Sequence, residues 1–336
     1  LIMGADKLFP TRLSAIVFFA YIFLFVAYGI LINASKVTSG YAYNTVTVVL
    51  LAELLKFFIV FFAYVQQKSW KCFKEELLLN LPVLLLYFIP SGLYCLYNNL
   101  AFVNLARFDP TTYFVFLQIR VVITGVIYQV VFRRYLNGLQ WISLVLLTSG
   151  CVVKEIGRQM AVGDSSFTFH FDTGLLFLLV QVLCSCFAGV YNEFLMKDKG
   201  RNIHVLMQNV FMYIDSIMCN LALLLIKGDA LNAFQVTQLK AILKSPLVIS
   251  IIVVISLAGI VTSYFLRELN SIVKNFASAI ELVLTAIVGW LVLGVPIDQF
   301  TVVAMLLISL STVIYAKQPL IVRPRDKLTA EVDSEC

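Results

Sequence analysis

Two basic residues lie inside apolar segments of the sequence, where a charge is hardest to accommodate. Arg120 follows Pro110 within one apolar run, and Lys274 lies in the run of residues 272–293. A charge at the centre of a bilayer costs roughly 2.5–3.5 kcal/mol on insertion scales, so membrane proteins retain such residues where they serve a function. We therefore expect the two cations to contact a polar solute that enters the membrane.

The composition predicts an integral membrane protein. Of its 336 residues, 61% are hydrophobic and 13% are charged, with a mean hydropathy of +0.93, whereas soluble domains are about 25% charged. The apolar runs reach the roughly 20 residues that a helix needs to cross a bilayer, without the alternation of barrel strands. We expect an all-α fold with ten spans, at residues 13–33, 44–66, 77–105, 110–132, 139–155, 172–196, 205–226, 246–267, 272–293 and 298–316.

The basic residues between the spans predict the orientation. Most of them lie on the side of the amino terminus, which is cytosolic by the positive-inside rule. Both termini are then cytosolic, and residues 1–336 form one transmembrane domain with a cytosolic tail at 318–336. The loop with Lys227, Lys240 and Lys244 departs from the rule, and an amphipathic surface helix would explain it. Residues 13–32 lack a cleavage site behind them, so we expect no cleavable signal peptide.

The two halves of the chain show a weak internal similarity. Arg120 aligns with Glu281, and Thr124 aligns with Thr285. Two repeats of five spans, at about 12–155 and 172–317, would be inverted across the membrane because five is odd. Inverted repeats are typical of alternating-access carriers, whose binding site lies at the midplane. Sequence identity between the halves is low, so a coincidental similarity stays an alternative to a true repeat.

Helix signals place the cations within their spans. Asp109 followed by Pro110 is typical of a helix start, which puts Arg120 about 15 Å along the helix and on one face with Tyr113. Lys274 follows the cap sequence at Asn270 by one turn, and Glu281 lies two turns further on the same stripe. Arg120 can bind substrate, form a structural pair with Glu281, or do both as a gating pair. Lys274 has no such obvious partner, which favours a role in binding substrate.

Other polar residues within spans need partners or a ligand. Asn209 and Tyr213 lie one turn apart and offer an amide and a ring suited to a nucleobase, with Asp215 nearby. The remaining candidates have competing structural interpretations: helix-to-helix hydrogen bonding for Tyr97, Asn98 and Asn99, packing for Thr262 and Ser263, an i, i+3 structural pair for Glu53 and Lys56, and a gate or a helix cap for Tyr191 and Glu193.

Motifs of catalysis and metal binding are absent from the sequence. It has no Walker loop, no GxSxG, no HExxH and no paired-aspartate motif of membrane transferases. The seven cysteines lack CxxC spacing, and there are only two histidines. We expect no enzyme activity, no metal and no cofactor, and we interpret the cysteines as small apolar packers.

Seven segments together resemble one transporter family, at residues 53–56, 93–102, 108–120, 140–143, 187–193, 209–213 and 262–274. The chain resembles the nucleotide-sugar transporter family, in the branch of CMP-sialic acid, UDP-galactose and UDP-N-acetylglucosamine carriers. The resemblance implies a ten-helix drug/metabolite transporter fold. It also implies exchange of a cytosolic nucleotide sugar for a luminal nucleoside monophosphate in the Golgi membrane. Whether the protein associates with a second copy of itself or with glycosyltransferases stays open.

The resemblance implies roles for the candidate residues as well. Phosphate would be held by residues matching Arg120 and Lys274, with Asn98 and Tyr113 nearby, and the base by residues matching Asn209, Tyr213, Asp215 and Ser263. We add Thr262 to the base and ribose site, and we assign to sugar contacts or gating the residues Tyr97, Asn99, Tyr191, Glu193 and Glu281. The chain departs from the CMP-sialic acid carrier at Tyr97, Arg120, Asp215 and Glu281, which favours a UDP-hexose, above all UDP-galactose, exchanged for UMP. A UDP-N-acetylglucosamine or CMP-sialic acid carrier and a non-transporting Golgi regulator are the alternatives.

Overall fold

The protein is a bundle of helices. The computed structural model describes residues 9, 11–37, 40–41, 45–107, 113, 116–162, 173–227, 235, 242–293, 297–318 and 321–322. The helices are α1 (Arg12–Ala34), α2 (Thr45–Lys68), α3 (Trp70–Leu79), α4 (Leu81–Arg107), α5 (Arg120–Phe132), α6 (Gly138–Val162), α7 (Thr173–Phe194), α8 (Val205–Lys227), α9 (Pro246–Glu268), α10 (Ser271–Leu293) and α11 (Gln299–Ala316).

Short elements complete the fold. A π-helical turn, Leu195–Lys199, follows α7. Two antiparallel ladders of two-residue strands pair β1 (Lys36–Val37) with β2 (Gly40–Tyr41) and β3 (Arg134–Tyr135) with β4 (Ile321–Val322). The β3–β4 pair joins the loop after α5 to the segment after α11.

The prediction of an all-α, multi-pass membrane protein is confirmed. Among the described residues, nine helices are long and apolar enough to cross a membrane, and α5 is a shorter apolar helix. Large apolar side chains such as Phe23, Leu225 and Leu306 are exposed on the outside of the bundle, as lipid-facing residues are. The expected helix start at Asp109 and Pro110 lies outside the described residues, as do Lys240 and most of its loop.

Contacts between helices define the bundle. The pairs in contact include α1 with α9 and α10, α2 with α8 and α9, α4 with α7 and α8, α5 with α7 and α10, and α6 with α11. The α6–α11 contact is close at Gly157, where a Cβ atom would lie 2.3 Å from the Cβ of Phe300. Only glycine fits at this position without displacing the neighbouring helix.

The third span begins later than predicted. Residues 77–79 belong to the separate helix α3, and α4 begins at Leu81. Asn80 ends α3, since its backbone N–H donates to the carbonyl of Glu76, and Pro82 stands in the first turn of α4, where its missing N–H costs nothing. Helix α3 carries both Trp70 and lysines and exposes most of its side chains, which is typical of a helix at a membrane surface.

The fourth span is interrupted just before Arg120, where we predicted a continuous helix. Gln118 and Ile119 form a turn in which the N–H groups of Ile119 and Val121 bond to carbonyls three residues back, to Phe116 and Gln118. Arg120 is therefore the first residue of α5. The positive end of the helix dipole adds to the charge of its side chain. Ile119 keeps helical dihedral angles, so the helix is tightened at this point and not unwound.

Candidate functional site

Two cavities large enough for a small molecule are lined by residues that the structure describes. Cavity A has a volume of about 380 Å³ and is lined by α1, α4, α5, α6, α7, α9 and α10, including Tyr97, Arg120, Asn275 and Glu281. Cavity B has a volume of about 310 Å³ and is lined by α2, α4, α7, α8, α9 and α10, including Glu53, Lys56, Asn98 and Tyr213. Both volumes are in the range of small-molecule sites.

Three residues line both cavities: Tyr94, Thr262 and Lys274. The two cavities therefore adjoin, and Lys274 lies at their junction. The side-chain oxygen of Asn270 accepts a hydrogen bond of 2.8 Å from the N–H of Val273 and so caps the start of α10. The start of this helix fixes the position of Lys274 in its first turn. This hydrogen bond confirms the predicted cap, one turn before Lys274.

The two cations of the site have no protein anion bound to them. Among the described residues, neither the guanidinium of Arg120 nor the ammonium of Lys274 has a hydrogen bond or an ion pair within 4.0 Å. The Arg120–Glu281 ion pair that we considered is not formed, and Glu281 instead accepts a hydrogen bond of 3.2 Å from Thr285. Arg120 is near enough for its charge to interact with those of Lys274 and Glu281. The arrangement can hold an anion with more than one negative charge.

Cavity A contains polar groups that the sequence interpretation missed. The hydroxyls of Tyr21 and Ser278 share a hydrogen bond of 2.9 Å. The amide nitrogen of Asn275 is buried and has no hydrogen-bond partner in the described part of the chain. Ser278 follows Lys274 by one turn and precedes Glu281 by about one, so the polar stripe of α10 was a signal that could have found it. Tyr21 gave no such signal.

Cavity B changes the interpretation of Glu53 and Lys56. They form the predicted i, i+3 pair, with 2.5 Å between the Lys56 Nζ and the Glu53 carboxylate. Both side chains also line the cavity, and the ammonium lies 5.0 Å from the centre of the Tyr213 ring. This is a cation–π contact. The pair is thus part of a cavity wall as well as a structural contact.

Hydroxyl groups on α9 complete the wall of cavity B. Thr262 and Ser263 line it, and each donates a hydrogen bond to a carbonyl one turn earlier, to Ala258 and Gly259 respectively. A hydroxyl that donates to its own helix still presents acceptor lone pairs. The hydroxyl of Tyr213 is buried without a hydrogen-bond partner among the described residues.

Some predicted site residues lie away from both cavities. Tyr113 is buried, and its hydroxyl accepts a hydrogen bond of 2.8 Å from Gln181. Asn209 and Asp215 are buried on α8, and their side-chain polar atoms have no partner among the described residues. None of the three lines cavity A or cavity B. The side chain of Asn99 lies outside the described residues.

Glu193 forms a buried contact between the end of α7 and the start of α10. Its carboxylate accepts hydrogen bonds from the N–H of Ser271 at 2.7 Å, from the Ser271 hydroxyl at 2.5 Å and from Lys197 at 2.8 Å. Lys197 also donates to the carbonyl of Leu269. Tyr191 packs against Phe194, with ring centres 5.9 Å apart. These contacts cap the start of α10 and also join it to the end of α7, so they fit both the cap and the gate that we considered for Glu193.

The described residues give no sign of a metal centre. No three His, Cys, Asp or Glu side chains in the described part of the chain form a group that could hold a metal ion. The described cysteines are free, and Cys151 and Cys186 lie on the wall of cavity A. The chemistry of the site is therefore that of binding groups: cations, hydroxyls, amides, aromatic rings and two carboxylates.

Comparison with known proteins gives a consistent result. A family model described as nucleotide-sugar transporter matches residues 10–316. The UDP-galactose transporter senju of Drosophila melanogaster is 41% identical, over 96% of this chain and 92% of its own length. The CMP-sialic acid transporter 1 of Oryza sativa subsp. japonica is 30% identical, over 78% of this chain and 81% of its own.

More distant similarities extend this picture. The UDP-N-acetylglucosamine transporter of Rattus norvegicus is 28% identical, over 83% of this chain and 87% of its own. A crystal structure described only as that of a protein has the same fold, with a TM-score of 0.65 at 11% identity, covering 90% of this chain and 95% of that one. Since the family model matches most of the sequence, the chain belongs to the nucleotide-sugar transporter family.

Proposed function

We propose that this protein exchanges a UDP-hexose, above all UDP-galactose, for UMP across the Golgi membrane. The 41% identity with a protein named as a UDP-galactose transporter supports the choice of sugar. The proposal includes cytosolic termini, as the positive-inside rule predicts. The nucleotide sugar would enter the lumen, and UMP would leave it.

The observation that carries the proposal is a pair of cations on the wall of one cavity. Arg120 and Lys274 have no anion from the described part of the chain bound to them. An unpaired buried charge is costly in a membrane protein, so the site is suited to a ligand that supplies the counter-charge. The pyrophosphate of a UDP-sugar carries about two negative charges, and charge-assisted hydrogen bonds to phosphate are about twice as strong as neutral ones.

The two cavities suggest how the ligand is oriented. We place the diphosphate at their junction, between Lys274 and Arg120. Cavity B then takes the nucleoside, because Tyr213 offers an aromatic ring and the Lys56–Glu53 pair offers both a donor and an acceptor for the edge of uracil. Cavity A takes the sugar. In this conformation Tyr113, Asn209 and Asp215 make no direct contact with the ligand.

The contacts between helices support two inverted repeats. Exchanging α1 with α7, α2 with α8, α4 with α9, α5 with α10 and α6 with α11 converts each contact named above into another one of the same set. The α1–α9 contact becomes α7–α4, α2–α9 becomes α8–α4, and α1–α10 becomes α7–α5, while α2–α8, α5–α10 and α6–α11 map onto themselves. Such symmetry is expected of a carrier that works by alternating access.

Polar contacts join one end of this bundle. Thr11 before α1 bonds to Glu268 at the end of α9 at 3.3 Å, Asn137 bonds to Gln318 at 3.0 Å, and Glu193 bonds to Ser271. This is the end that we propose to be cytosolic. Opening it requires these contacts to break. The two uncompensated cations of the empty carrier would oppose the change of state, so exchange is favoured over one-way transport.

The proposal is tested with purified protein in proteoliposomes. Vesicles preloaded with UMP should take up radiolabelled UDP-galactose, and vesicles that are empty or preloaded with CMP should take up much less. UDP-glucose, UDP-N-acetylglucosamine and CMP-sialic acid serve as competing substrates. Equal exchange with UMP and CMP, or no nucleotide-dependent uptake, would contradict the proposal.

Gly259→Ala is a mild test of the nucleoside position. A Cβ atom at this residue would lie 2.7 Å from the Cδ of Lys56, so the lysine side chain must shift from its position beside the Tyr213 ring. Since the end of a flexible side chain can yield, we expect the melting temperature to stay near that of the wild type. The affinity for UMP should fall several-fold, as measured by the concentration of UMP that protects against thermal unfolding. Gly92→Ala, where a Cβ atom would meet nothing within 4 Å, is the matched control and should leave that concentration unchanged.

A further inference from the structure

Glu281 gives cavity A a carboxylate that has no ion-pair partner among the described residues. It is half-buried on α10 and lines the cavity, and its carboxylate accepts the hydrogen bond from Thr285. One carboxylate oxygen accepts that bond, and a carboxylate has about four lone-pair sites in all. Acceptor capacity therefore remains for a group inside the cavity.

A second polar residue on the same helix lines the same cavity. The amide nitrogen of Asn275, a donor, is buried without a partner among the described residues. A hydroxyl both donates and accepts, so a neutral sugar with several hydroxyls can donate to Glu281 and, after a rotation of the Asn275 amide, accept from its nitrogen. Burying such groups unsatisfied is costly, which makes their complement in the ligand a source of selectivity.

A sugar with its own carboxylate fits this wall poorly. Its carboxylate can only accept hydrogen bonds and would share a partly dehydrated cavity with the charge of Glu281. Like charges at close range repel strongly where the effective dielectric constant is low. Arg120 does not remove the problem, because in the proposed function its charge is matched by the pyrophosphate.

We infer that Glu281 is a specificity-determining residue that selects nucleotide sugars with neutral hexoses and rejects those whose sugar carries a carboxylate. This inference rests on the proposed function, since it assigns the sugar to cavity A. Rejection by a repulsive group is a common route to specificity, because it acts on the wrong ligand without requiring tighter binding of the right one.

The test uses two ligands that differ only at C6 of the sugar, where UDP-galactose has a hydroxymethyl group and UDP-galacturonic acid has a carboxylate. Protection of the purified full chain against thermal unfolding is measured for both ligands and for UMP. For the wild type, we expect that the concentration of UDP-galacturonic acid must be at least about tenfold higher than that of UDP-galactose to give the same protection. In Glu281→Gln, which has nearly the same shape without the charge, that ratio should fall below about threefold.

Control variants separate the charge of Glu281 from general effects. Glu281→Asp keeps the charge and should keep the discrimination. Glu75→Gln removes an exposed carboxylate outside both cavities and should also keep the discrimination. Glu281→Ala is a second neutral variant and should lose the discrimination between the two ligands. If UMP protects the wild type, two results would overturn the inference: equal protection of the wild type by the two ligands, or a ratio of the two ligand concentrations that stays at the wild-type value in both neutral variants. Failure of UMP to protect the wild type would contradict the proposed function and this inference with it.

Discussion

Replacing Lys274 with methionine is expected to abolish measurable exchange of UDP-galactose for UMP. Methionine has a similar length and no charge, so the junction of the two cavities would keep its shape and lose a donor to the diphosphate. A hydrogen bond to a charged group contributes about 1.5–3 kcal/mol, which corresponds to roughly 10- to 100-fold weaker binding. The loss applies to both UDP-galactose and UMP, since both carry phosphate. Uptake into UMP-loaded proteoliposomes measures it.

Lys199→Met is the matched control, because Lys199 is an exposed cation outside both cavities. Its exchange rate should match that of the wild type. Arg120→Lys keeps a positive charge but replaces a planar bidentate donor with a point charge. We expect this variant to retain exchange with weakened affinity, between the wild type and Lys274→Met. Wild-type exchange by Lys274→Met would show that the cation does not serve the substrate.

The spans were predictable from sequence because a bilayer imposes a minimum length on an apolar helix. Two features were not. The boundary between α3 and α4 lies within a run that includes three leucines before Asn80, so hydropathy gave no sign of it. The turn before Arg120 involves Gln118 and Ile119, neither of which breaks a helix by its own chemistry. Such a turn depends on the surrounding helices.

The candidate site was predictable where charge itself was the signal. Arg120, Lys274 and Glu281 stood out because a bilayer tolerates few charges, and the structure brings all three to cavity A. Only one of the contacts of Lys56 was predicted. Its partner Glu53 lies one turn away in sequence, whereas Tyr213 and Gly259 reach it only through the packing of α8 and α9 against α2. Local spacing shows local pairs, and tertiary neighbours require the fold.

Replacing Glu193 with alanine is expected to loosen the start of α10 and to lower the melting temperature by several degrees. The substitution leaves the N–H of Ser271 without its acceptor and Lys197 without its carboxylate partner. An unsatisfied buried donor costs about 1–3 kcal/mol. Because Lys274 lies in the first turn of the same helix, we also expect weaker protection by UMP. Thermal unfolding with and without UMP measures both effects.

A graded series shows whether the effect comes from this contact. Ser271→Ala removes only the hydroxyl bond and keeps the backbone bond, so its effect on the melting temperature should be smaller than that of Glu193→Ala. Glu193→Gln keeps an acceptor for Ser271 and should be intermediate. In a Lys197→Met background, the further loss caused by Glu193→Ala should shrink, because residues in one network couple. Hydrogen exchange at residues 271–274 gives a local measurement. Unchanged protection there in Glu193→Ala would exclude a cap.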